Sequence, residues 1–432
     1  MKFIHFVGIG GIGLSALARY LKKQGFEISG SDIKETKITK CLREEGIEVC
    51  IPHSEKNITN QDLVIYSAAI KDDNVELLEA RKKGIVTLSR KDALPFILKE
   101  KRVFSVCGAH GKSTTSAILA SMVDGSVIIG AESKQYGSNM HYKESNNVIF
   151  EADESDSSFL NSNPYIAIVT NAEPEHMEYY NYDYEKFYDA YRLFLQSATI
   201  RVINAEDEFL ATLDNLEAIR LYPSRDITEL KTIIKNGEPF TSFVLKDLGR
   251  FEVWGIGYHI AVDASLAILA AINEIDLETT REKIKNFRGI KKRFDILTKS
   301  NGYALIDDYG HHPTEIKATI ASAQKYAALL GIDKITAIWQ PHKYSRTVDN
   351  LKGFVECFEG VDELIILPVW SAGESKRDID FAKEFGRYNP KFVNQIKRVG
   401  EFINLDESEK SLQEGLIIGF GAGDITYQLR GA

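Results

Sequence analysis

Short apolar runs alternate with longer amphipathic segments along most of the chain. The apolar runs have the length and composition of buried β-strands, and they include residues 2–7 (KFIHFV), 103–107 (VFSVC), 166–171 (IAIVTN) and 335–340 (ITAIWQ). The segments between them carry apolar residues at helical spacing, as residues 14–25 (LSALARYLKKQG) do. This alternation predicts an α/β fold with parallel sheets.

Length and composition narrow the class of protein. The 432 residues suffice for about two to four domains, and the net charge of −9 argues against a nucleic-acid-binding surface. No apolar run approaches the ~20 residues that a membrane span needs, and the N-terminal residues show no signal-peptide pattern, so we expect no membrane association. The four cysteines are scattered without metal-site spacing, which predicts a reducing, cytoplasmic compartment: Cys41, Cys50, Cys107 and Cys357.

A glycine-rich turn joins the first predicted strand to the first predicted helix. Its glycines are Gly8, Gly10, Gly11 and Gly13, and Asp32 ends the next predicted strand. This spacing matches the dinucleotide fingerprint and taken alone indicates NAD. The physical mechanism is less specific, because backbone N–H groups at a helix N-terminus bind any diphosphate. A UDP-sugar is therefore an equally suitable ligand.

A second glycine turn follows the strand at residues 103–107. Its glycines allow backbone N–H groups to approach a phosphate, and the helix that follows adds partial positive charge. Lys112 is placed to reach the terminal phosphates and Ser113 to bind Mg²⁺, although Val106 stands where the common phosphate-loop pattern has glycine. The predicted ATP-binding residues of this loop are Gly108, Ala109, His110, Gly111, Lys112, Ser113 and Thr114.

Polar side chains end several other predicted strands. Glu151 follows the run 148–150 within an acidic cluster, where it is either part of a solvated loop or a Mg²⁺ ligand. His176 follows the strand at 166–171 and is either structural or a ligand of a second Mg²⁺. Ser67 ends a strand at the edge where open α/β sheets bind ligands, as a turn residue or as a ligand contact.

The last third of the chain has four apolar strands in succession, each followed by polar, histidine-rich or glycine-rich residues. In a parallel sheet these ends lie on one edge, where such sheets bind ligands. The segments that follow the strands are 307–313, 341–347, 370–374 and 421–424. The basic segment 288–296, with Arg293, precedes this region and either faces solvent or contacts a phosphate.

These motifs together resemble the Mur ligases of bacterial cell-wall synthesis, in the order in which that family carries them and over nearly the whole chain. Each motif alone is weakly specific. The motifs are HFVGIGGIGLSALA (5–18), GAHGKST (108–114), EADESDSSF (151–159), TNAEPEHMEYY (170–180), IKKRFD (290–295), DDYGHHPTEI (307–316), WQPHKYSRT (339–347), PVWSAGE (368–374) and GAGDI (421–425).

The resemblance implies an α/β fold with three domains. These are a Rossmann-like UDP-sugar-binding domain at 1–99, a central P-loop ATPase-type domain at 100–295, and a Rossmann-like C-terminal domain at 296–432. Two positions depart from the family pattern, since Ile260 and Asp263 stand where the family often has Asn beside the adenine.

The resemblance also implies the reaction. It is the ATP- and Mg²⁺-dependent ligation of L-alanine to the lactyl carboxylate of UDP-N-acetylmuramate through an acyl phosphate, with attachment of a recycled tripeptide as the alternative. The substrates would be UDP-N-acetylmuramate, L-alanine and ATP, and the oligomeric state stays open. An NAD-dependent dehydrogenase and an ATP-gated binding protein are the alternatives from other classes.

The residue roles that the resemblance implies divide by ligand. The first glycine loop, Asp32 and Ser67 would hold the UDP-sugar, and Asp308 would contact the ATP ribose. The metal ligands would be Ser113, Glu151 and His176. The catalytic group would comprise Lys112, Arg293, His312 and His342, and the muramate and amino-acid site His311, Tyr344 and Arg346.

Overall fold

The computed structural model describes residues 2–406 and 411–431. The chain divides into two compact units. The first comprises Met1–Thr228, Val244–Gly249 and Val262–Arg288, and the second comprises Glu229–Phe243, Arg250–Ala261 and Gly289–Ala432. The predicted α/β class is confirmed, because each unit is built on a largely parallel sheet with helices between its strands.

A five-stranded parallel sheet opens the first unit. Its strand order is β3-β2-β1-β4-β5. The order in which the chain adds strands reverses at β1, because β2 and β3 lie on one side of it and β4 and β5 on the other, and β1 leads into the first glycine loop. The elements are β1 (Phe3–Val7), α1 (Ile12–Lys23), β2 (Glu27–Ser31), α2 (Lys37–Glu44), β3 (Glu48–Cys50), β4 (Leu63–Tyr66), α3 (Val75–Lys82), β5 (Val86–Ser89) and α4 (Arg90–Ile97).

A seven-stranded sheet forms the rest of the first unit's framework. Its order is β12-β11-β10-β6-β9-β7-β8, and β8 pairs antiparallel with β7 at one edge. The elements are β6 (Arg102–Cys107), α5 (Lys112–Met122), β7 (Ser126–Ser133), β8 (Ser138–His141), β9 (Asn147–Glu151), β10 (Pro164–Val169), α6 (Tyr184–Ser197), β11 (Ile200–Asn204), β12 (Ile219–Leu221) and α7 (Pro223–Asp226).

A small three-stranded sheet and two helices follow. The sheet order is β13-β14-β15, and the stretch TSFVL (241–245), whose alternation of apolar and polar residues favours a strand, lies in β14. The elements are β13 (Ile227–Lys235), β14 (Glu238–Leu245), β15 (Arg250–Trp254), α8 (Tyr258–Ala271) and α9 (Leu277–Lys283).

The second unit's main sheet has the order β16-β17-β24-β18-β19-β20, and β21-β22-β23 form a separate small sheet. Its elements are β16 (Asp295–Ser300), β17 (Tyr303–Asp308), α10 (Pro313–Leu330), β18 (Ile335–Trp339), α11 (Tyr344–Asp349), α12 (Leu351–Cys357), β19 (Glu363–Ile366), α13 (Phe381–Glu384), β20 (Lys391–Phe392), β21 (Ile396–Val399), β22 (Phe402–Leu405), β23 (Ser411–Leu412), β24 (Gly415–Phe420) and α14 (Ile425–Arg430).

Apolar cores pack against the main sheets of the two units. In the first unit one cluster of buried residues runs from Ile4 to Leu210 and so includes side chains of both of its sheets. In the second unit Trp339 lies at 1% exposure among the rings of Phe354, Phe358 and Phe385. The carboxyl ends of the strands are therefore fixed by the buried cores beneath the sheets. Among the described residues, no helix combines the length and the apolar character of a transmembrane span.

Candidate functional site

The first glycine loop lies between β1 and α1, as predicted. Gly8 has a φ of 82°, and a Cβ at this position would stand 3.1 Å from the Cβ of Ser67. The N–H of Gly10 donates to Oδ2 of Asp32 at 2.8 Å. The structure thus brings Asp32 and Ser67 against the loop, and Asp32 acts on the loop itself by fixing one of its N–H groups.

Arg90, the first residue of α4, lies at the end of this loop. A Cβ on Gly13 would stand 2.9 Å from Nη1 of Arg90. The same guanidinium donates through Nη2 to Asp153 at 3.1 Å and to Ser158 at 3.0 Å, and it contacts Asp156 at 3.2 Å. Arg90 therefore connects the first glycine loop with the acidic segment that follows β9.

The second glycine loop lies between β6 and α5, as predicted. Gly111 adopts a φ of 81°, and a Cβ there would stand 2.5 Å from Oδ1 of Asp263, so this position requires glycine. Lys112 begins α5, and its ammonium donates to the carbonyl of Gly108, to the carbonyl of Ala109 at 3.2 Å and to Glu154. The lysine is folded back over the loop that it would use to bind phosphates.

Glu154 is the buried partner of Lys112. Their charged atoms are 3.0 Å apart, and the Glu154 side chain is only 2% exposed, unlike its neighbours Asp153 and Asp156, which stay partly exposed. Burial works to lower the pKa of Lys112, but the carboxylates of Glu154 and Glu151 outweigh it and raise that pKa above its ordinary value. Lys112 is therefore a fixed positive charge at the loop.

Ser113 and Glu151 lie together beside the loop. The Ser113 hydroxyl donates to Oε2 of Glu151 at 2.9 Å, and the N–H of Gly130 donates to the same oxygen at 2.8 Å. Thr114 follows in the first turn of α5. A hydroxyl and a carboxylate at this distance offer the hard oxygen ligands that Mg²⁺ prefers, so this pair fits the metal that the sequence implies.

His110 and His176 differ in how they are held. The N–H of His110 donates to the side chain of Asn171 at 3.0 Å, and the amide of Asn171 returns a bond to the His110 carbonyl at 3.0 Å. His176 is exposed and has a φ of 52°. No side-chain hydrogen bond or ion pair joins His176 to Ser113 or Glu151 in the described part of the chain, so its role as a metal ligand stays a prediction.

The second unit gathers the remaining candidates at one sheet edge. Strands β17, β24, β18 and β19 are neighbours and run parallel, so their carboxyl ends lie side by side. The residues that follow these strands begin at Tyr309, Gly421, Gln340 and Leu367. The expectation of one edge with four polar strand ends is confirmed.

Asp308 ends β17 in a buried position. Its carboxylate accepts from the N–H of Phe294 at 2.7 Å and from the N–H of Gly310 at 2.8 Å. Burial raises its pKa to about 6, although the nearby Arg293 and these donors act in the opposite direction. Arg293 donates to Glu315 at 3.1 Å, which ties the basic segment to the start of α10.

Glu315 also organises the two histidines after β17. Its Oε2 accepts from the N–H of His311 at 3.0 Å and from the N–H of His312 at 3.3 Å. The rings of His311 and His342 are 6.1 Å apart. Burial lowers the pKa of His311 to about 4, against the opposing charge of Glu315. The structure thus brings His311 and His342 together across two strand ends.

His342 is held by Arg346 one helical turn further on. Nη1 of Arg346 lies 3.1 Å from Nδ1 of His342, and burial together with the charges of Arg346 and Lys343 lowers the pKa of His342 to about 4. Because arginine only donates, Nδ1 is the acceptor and the proton of the neutral ring is on Nε2. Tyr344 begins α11, where Ser345 bonds to Glu374 at 2.6 Å.

Three family models match the chain in sequence. Their descriptions are "Mur ligase family, catalytic domain" for residues 3–102, "Mur ligase middle domain" for residues 106–222 and "Mur ligase, glutamate ligase domain" for residues 292–421. Together these matches extend over most of the chain. The chain belongs to the Mur ligase family.

This Mur ligase is similar to curated proteins along its whole length. It is 62% identical over 434 residues to a UDP-N-acetylmuramate–L-alanine ligase of Campylobacter curvus, with 100% of both chains covered. It is 56% identical to a protein of the same name from Helicobacter pylori, with 99% of this chain and 96% of the other covered.

Solved structures support the fold. A UDP-N-acetylmuramate-alanine ligase from Thermotoga maritima matches with a TM-score of 0.80 at 29% identity, covering 100% of this chain and 98% of the other. A murein peptide ligase from Psychrobacter arcticus matches with a TM-score of 0.65 at 18% identity, covering 100% and 99%, and shows the fold alone. The three-domain α/β fold of the Mur ligases is therefore the fold of this chain.

Sequence reasoning missed several residues that hold the Mur ligase site in place. Arg90, Glu154 and Glu315 each form the contacts described above. Arg90 lies outside the motifs, whereas Glu154 and Glu315 lie within the segments 151–159 and 307–316 without any sign there of their contacts. Glu154 was visible only as a member of the acidic cluster, and its burial had no signal in the sequence. Arg90 had no indication in the sequence, and Glu315 had only its place within the segment 307–316.

Proposed function

We propose that this Mur ligase joins L-alanine to the lactyl carboxylate of UDP-N-acetylmuramate with hydrolysis of ATP to ADP and phosphate. The observation that carries the proposal is the 62% identity, over both full chains, to a protein with that name. The two glycine loops support it, since one suits a nucleotide-sugar diphosphate and the other suits ATP. Attachment of a recycled tripeptide has weaker support, because the murein peptide ligase is only 18% identical.

The first chemical step is transfer of the γ-phosphoryl group. A carboxylate oxygen of the sugar acid forms a bond to the γ-phosphorus while the bond to the bridging oxygen breaks, giving an acyl phosphate and ADP. The protein's task in such a transfer is positioning and charge stabilisation. We assign this task to Lys112 and the N–H groups of Gly108–Thr114, with Arg293 binding phosphate oxygens and Asp308 the ribose.

We infer that the reaction uses Mg²⁺ held by Ser113 and Glu151, with His176 as a candidate for a second ion. The hydrogen bond between the Ser113 hydroxyl and Glu151 supports this assignment, since both groups are hard oxygen donors. When bound, the ion neutralises negative charge on the transferring phosphoryl group.

The second step is attack of the neutral amine of L-alanine on the acyl carbon. A C–N bond forms, negative charge collects on the carbonyl oxygen, and the C–O bond to phosphate then breaks as the amine loses a proton. The neutral His342, with its proton on Nε2, is suited to donate a hydrogen bond to this oxyanion. We assign His312 to the same task and His311, Tyr344 and Arg346 to binding the muramate and the amino acid.

We further propose domain limits of 1–99 for the UDP-sugar, 100–295 for ATP and 296–432 for the amino acid, and a cytoplasmic location. The separate sheets at residues 3–89 and 102–221 support the first limit. The cysteines support the location, because the described structure leaves all four as free thiols.

A phosphate-release assay tests the proposed reaction. Purified protein is given ATP, Mg²⁺ and UDP-N-acetylmuramate with each of a panel of amino acids or with the tripeptide. We expect rapid release with L-alanine and slow release with the tripeptide. Preference for the tripeptide would favour the recycling reaction, and absence of release with every acceptor would reject ligation. A change in nicotinamide absorbance would instead reveal a dehydrogenase.

The Mg²⁺ assignment has its own test. In Glu151→Gln the carboxylate becomes a neutral amide of the same shape, so we expect a higher Mg²⁺ concentration for half-maximal activity, by about tenfold or more. Glu144→Gln, which changes an exposed carboxylate between β8 and β9, provides the control. An unchanged Mg²⁺ titration in Glu151→Gln would remove Glu151 from the ligand set.

A further inference from the structure

A buried carboxylate lies beneath the first glycine loop and has no part in the proposed reaction. Glu76, in the first turn of α3, has an exposure of 0%. Its Oε1 accepts from the N–H of Ser54 at 3.1 Å and from the amide of Asn57 at 2.6 Å. Its Oε2 accepts from the hydroxyl of Ser31. A carboxylate without water needs such partners, and Glu76 has two on Oε1 and the Ser31 hydroxyl on Oε2.

Two histidines complete the surroundings of Glu76. Oε2 lies 3.4 Å from Nδ1 of His53 and 3.6 Å from Nε2 of His5. Burial alone would raise the pKa of Glu76, but the nearby rings of His5 and His53 and the hydrogen bonds from Ser31 and Asn57 hold it well below its ordinary value. Glu76 is therefore an anion, and its position is defined from several directions.

Ser31 connects this anion to the glycine loop. It ends β2, and its side chain bonds both to Glu76 and to Nδ1 of His53, the latter at 2.8 Å. Its carbonyl accepts from the N–H of Gly8 at 2.8 Å and from the N–H of Ile9 at 3.0 Å. The next residue, Asp32, takes the N–H of Gly10. The loop's first three N–H groups thus depend on where Ser31 lies.

The same cluster also reaches the strand before the loop. His5 lies in β1, and its Nδ1 bonds to the hydroxyl of Ser29 in β2 at 2.8 Å. The backbones of β1 and β2 are already paired in parallel from Phe3 to Val7. Buried charged groups are poor contributors to stability compared with apolar side chains of similar size, so strand pairing alone does not call for this cluster.

We propose that Glu76 is a positioning residue for the nucleotide-sugar diphosphate. By fixing Ser31, whose carbonyl holds the N–H groups of Gly8 and Ile9, it fixes the path of the loop into α1. The first N–H groups of α1, which have no partner inside the helix, are thereby held in the orientation in which they bind the diphosphate. The inference rests on the proposed function and adds to it a residue that never contacts the substrate. Loss of Glu76 then weakens binding of one substrate and leaves the phosphoryl transfer unchanged.

Kinetics of matched variants test the proposal. Ser31→Ala removes the link, Glu76→Gln removes the charge, and Glu79→Gln on the same helix changes a carboxylate that pairs with Lys82 and Lys83 near the surface. We expect Ser31→Ala and Glu76→Gln to raise KM for UDP-N-acetylmuramate about tenfold, with kcat and KM for ATP within about twofold of wild type. Glu79→Gln should match wild type.

A purely structural role predicts a different pattern. Partial unfolding lowers the amount of active enzyme, so kcat falls while both KM values stay at wild-type levels, and that result would overturn the proposal. Hydrogen exchange of the Gly8 and Ile9 amides gives a second readout that needs no turnover. We expect faster exchange in Ser31→Ala and Glu76→Gln than in Glu79→Gln, and equal exchange would also overturn the proposal.

These measurements separate this inference from the proposed function. If wild-type protein releases no phosphate with UDP-N-acetylmuramate and any acceptor, the proposed function fails, and the exchange experiment still reports whether Glu76 fixes the loop. If wild-type protein is active and KM for the nucleotide sugar is unchanged in both variants, the proposed function stands and the role of Glu76 is rejected.

Discussion

Lys112 is surrounded by acceptors that its own segment and one buried acid provide. Its ammonium donates hydrogen bonds to the carbonyls of Gly108 and Ala109 and to the carboxylate of Glu154. When ATP binds, phosphate oxygens have to replace some of these acceptors. The acceptors that hold the Lys112 ammonium can thus be replaced by phosphate oxygens. Removal of the Lys112 side chain should therefore affect the chemical step more than folding.

Lys112→Ala tests that expectation. We expect kcat to fall by at least ~100-fold, as when a key electrostatic donor is removed from an active site. The circular dichroism spectrum should match wild type, because the backbone of the loop is held by its glycines and by Thr170 and Asn171. Near-normal turnover by a folded variant would remove Lys112 from the catalytic group.

His342 provides a prediction about pH. Its pKa is about 4 in the folded protein and about 6.5 in an unfolded chain, so the unfolded state binds more protons between these values. Stability therefore falls as the pH decreases from about 6.5 to about 4. In His342→Asn this decrease should be smaller by about 1 kcal/mol, since the ring is partly exposed. Urea unfolding at several pH values measures it, and parallel curves for both proteins would contradict it.

At the scale of single elements, many of the buried strands and both glycine loops followed directly from the sequence, whereas edge strands such as β8, β12 and β20 did not. Apolar runs identify β6, β10, β17 and β24 because a buried parallel strand has few polar positions. The contacts of Arg90 did not follow, because its acceptors lie 63 to 68 positions away in the chain. Pairing over such a distance leaves no periodic pattern in the sequence.

The link between α4 and the acidic segment predicts a stability effect. Arg90 is 21% exposed and bonds to Asp153, Asp156 and Ser158, so Arg90→Ala leaves two carboxylates without their shared cation. We expect a loss of about 2–3 kcal/mol in the free energy of unfolding. Arg81→Ala is the control, because its partner Asp72 is 86% exposed and such pairs contribute about 0–1 kcal/mol. Equal losses in both variants would contradict the assigned role.

At the scale of the whole molecule, the family resemblance implied three α/β domains. The described residues form three large sheets, within 3–89, 102–221 and 295–420, and each has its own strand order. The course of residues 227–261 was harder to predict. Their strands β13, β14 and β15 alternate between apolar and polar positions without a strong run, and the chain passes repeatedly between the two compact units here. Local patterns report which strands form, whereas the unit that a strand joins depends on contacts that are distant in sequence.

The proposed first domain can be examined as a fragment of residues 1–101. One separate apolar cluster lies wholly within this fragment, formed by Val7, Ile58, Val64, Leu77 and Ala80, so we expect the fragment to fold. Within the compact first unit, however, Asn139 donates to the carbonyl of Ile12 at 2.6 Å and accepts from Arg19 at 2.9 Å. The fragment lacks these bonds and exposes apolar side chains of the shared core, so its free energy of unfolding should be at least about 2 kcal/mol below that of the same residues in the full chain. Hydrogen exchange of the β1 amides measures the free energy of unfolding in the fragment and in the full chain. Full-chain Asn139→Ala, which removes only the polar contacts, should lie between them, and a fragment as stable as the full chain would show that residues 1–99 are an independent domain.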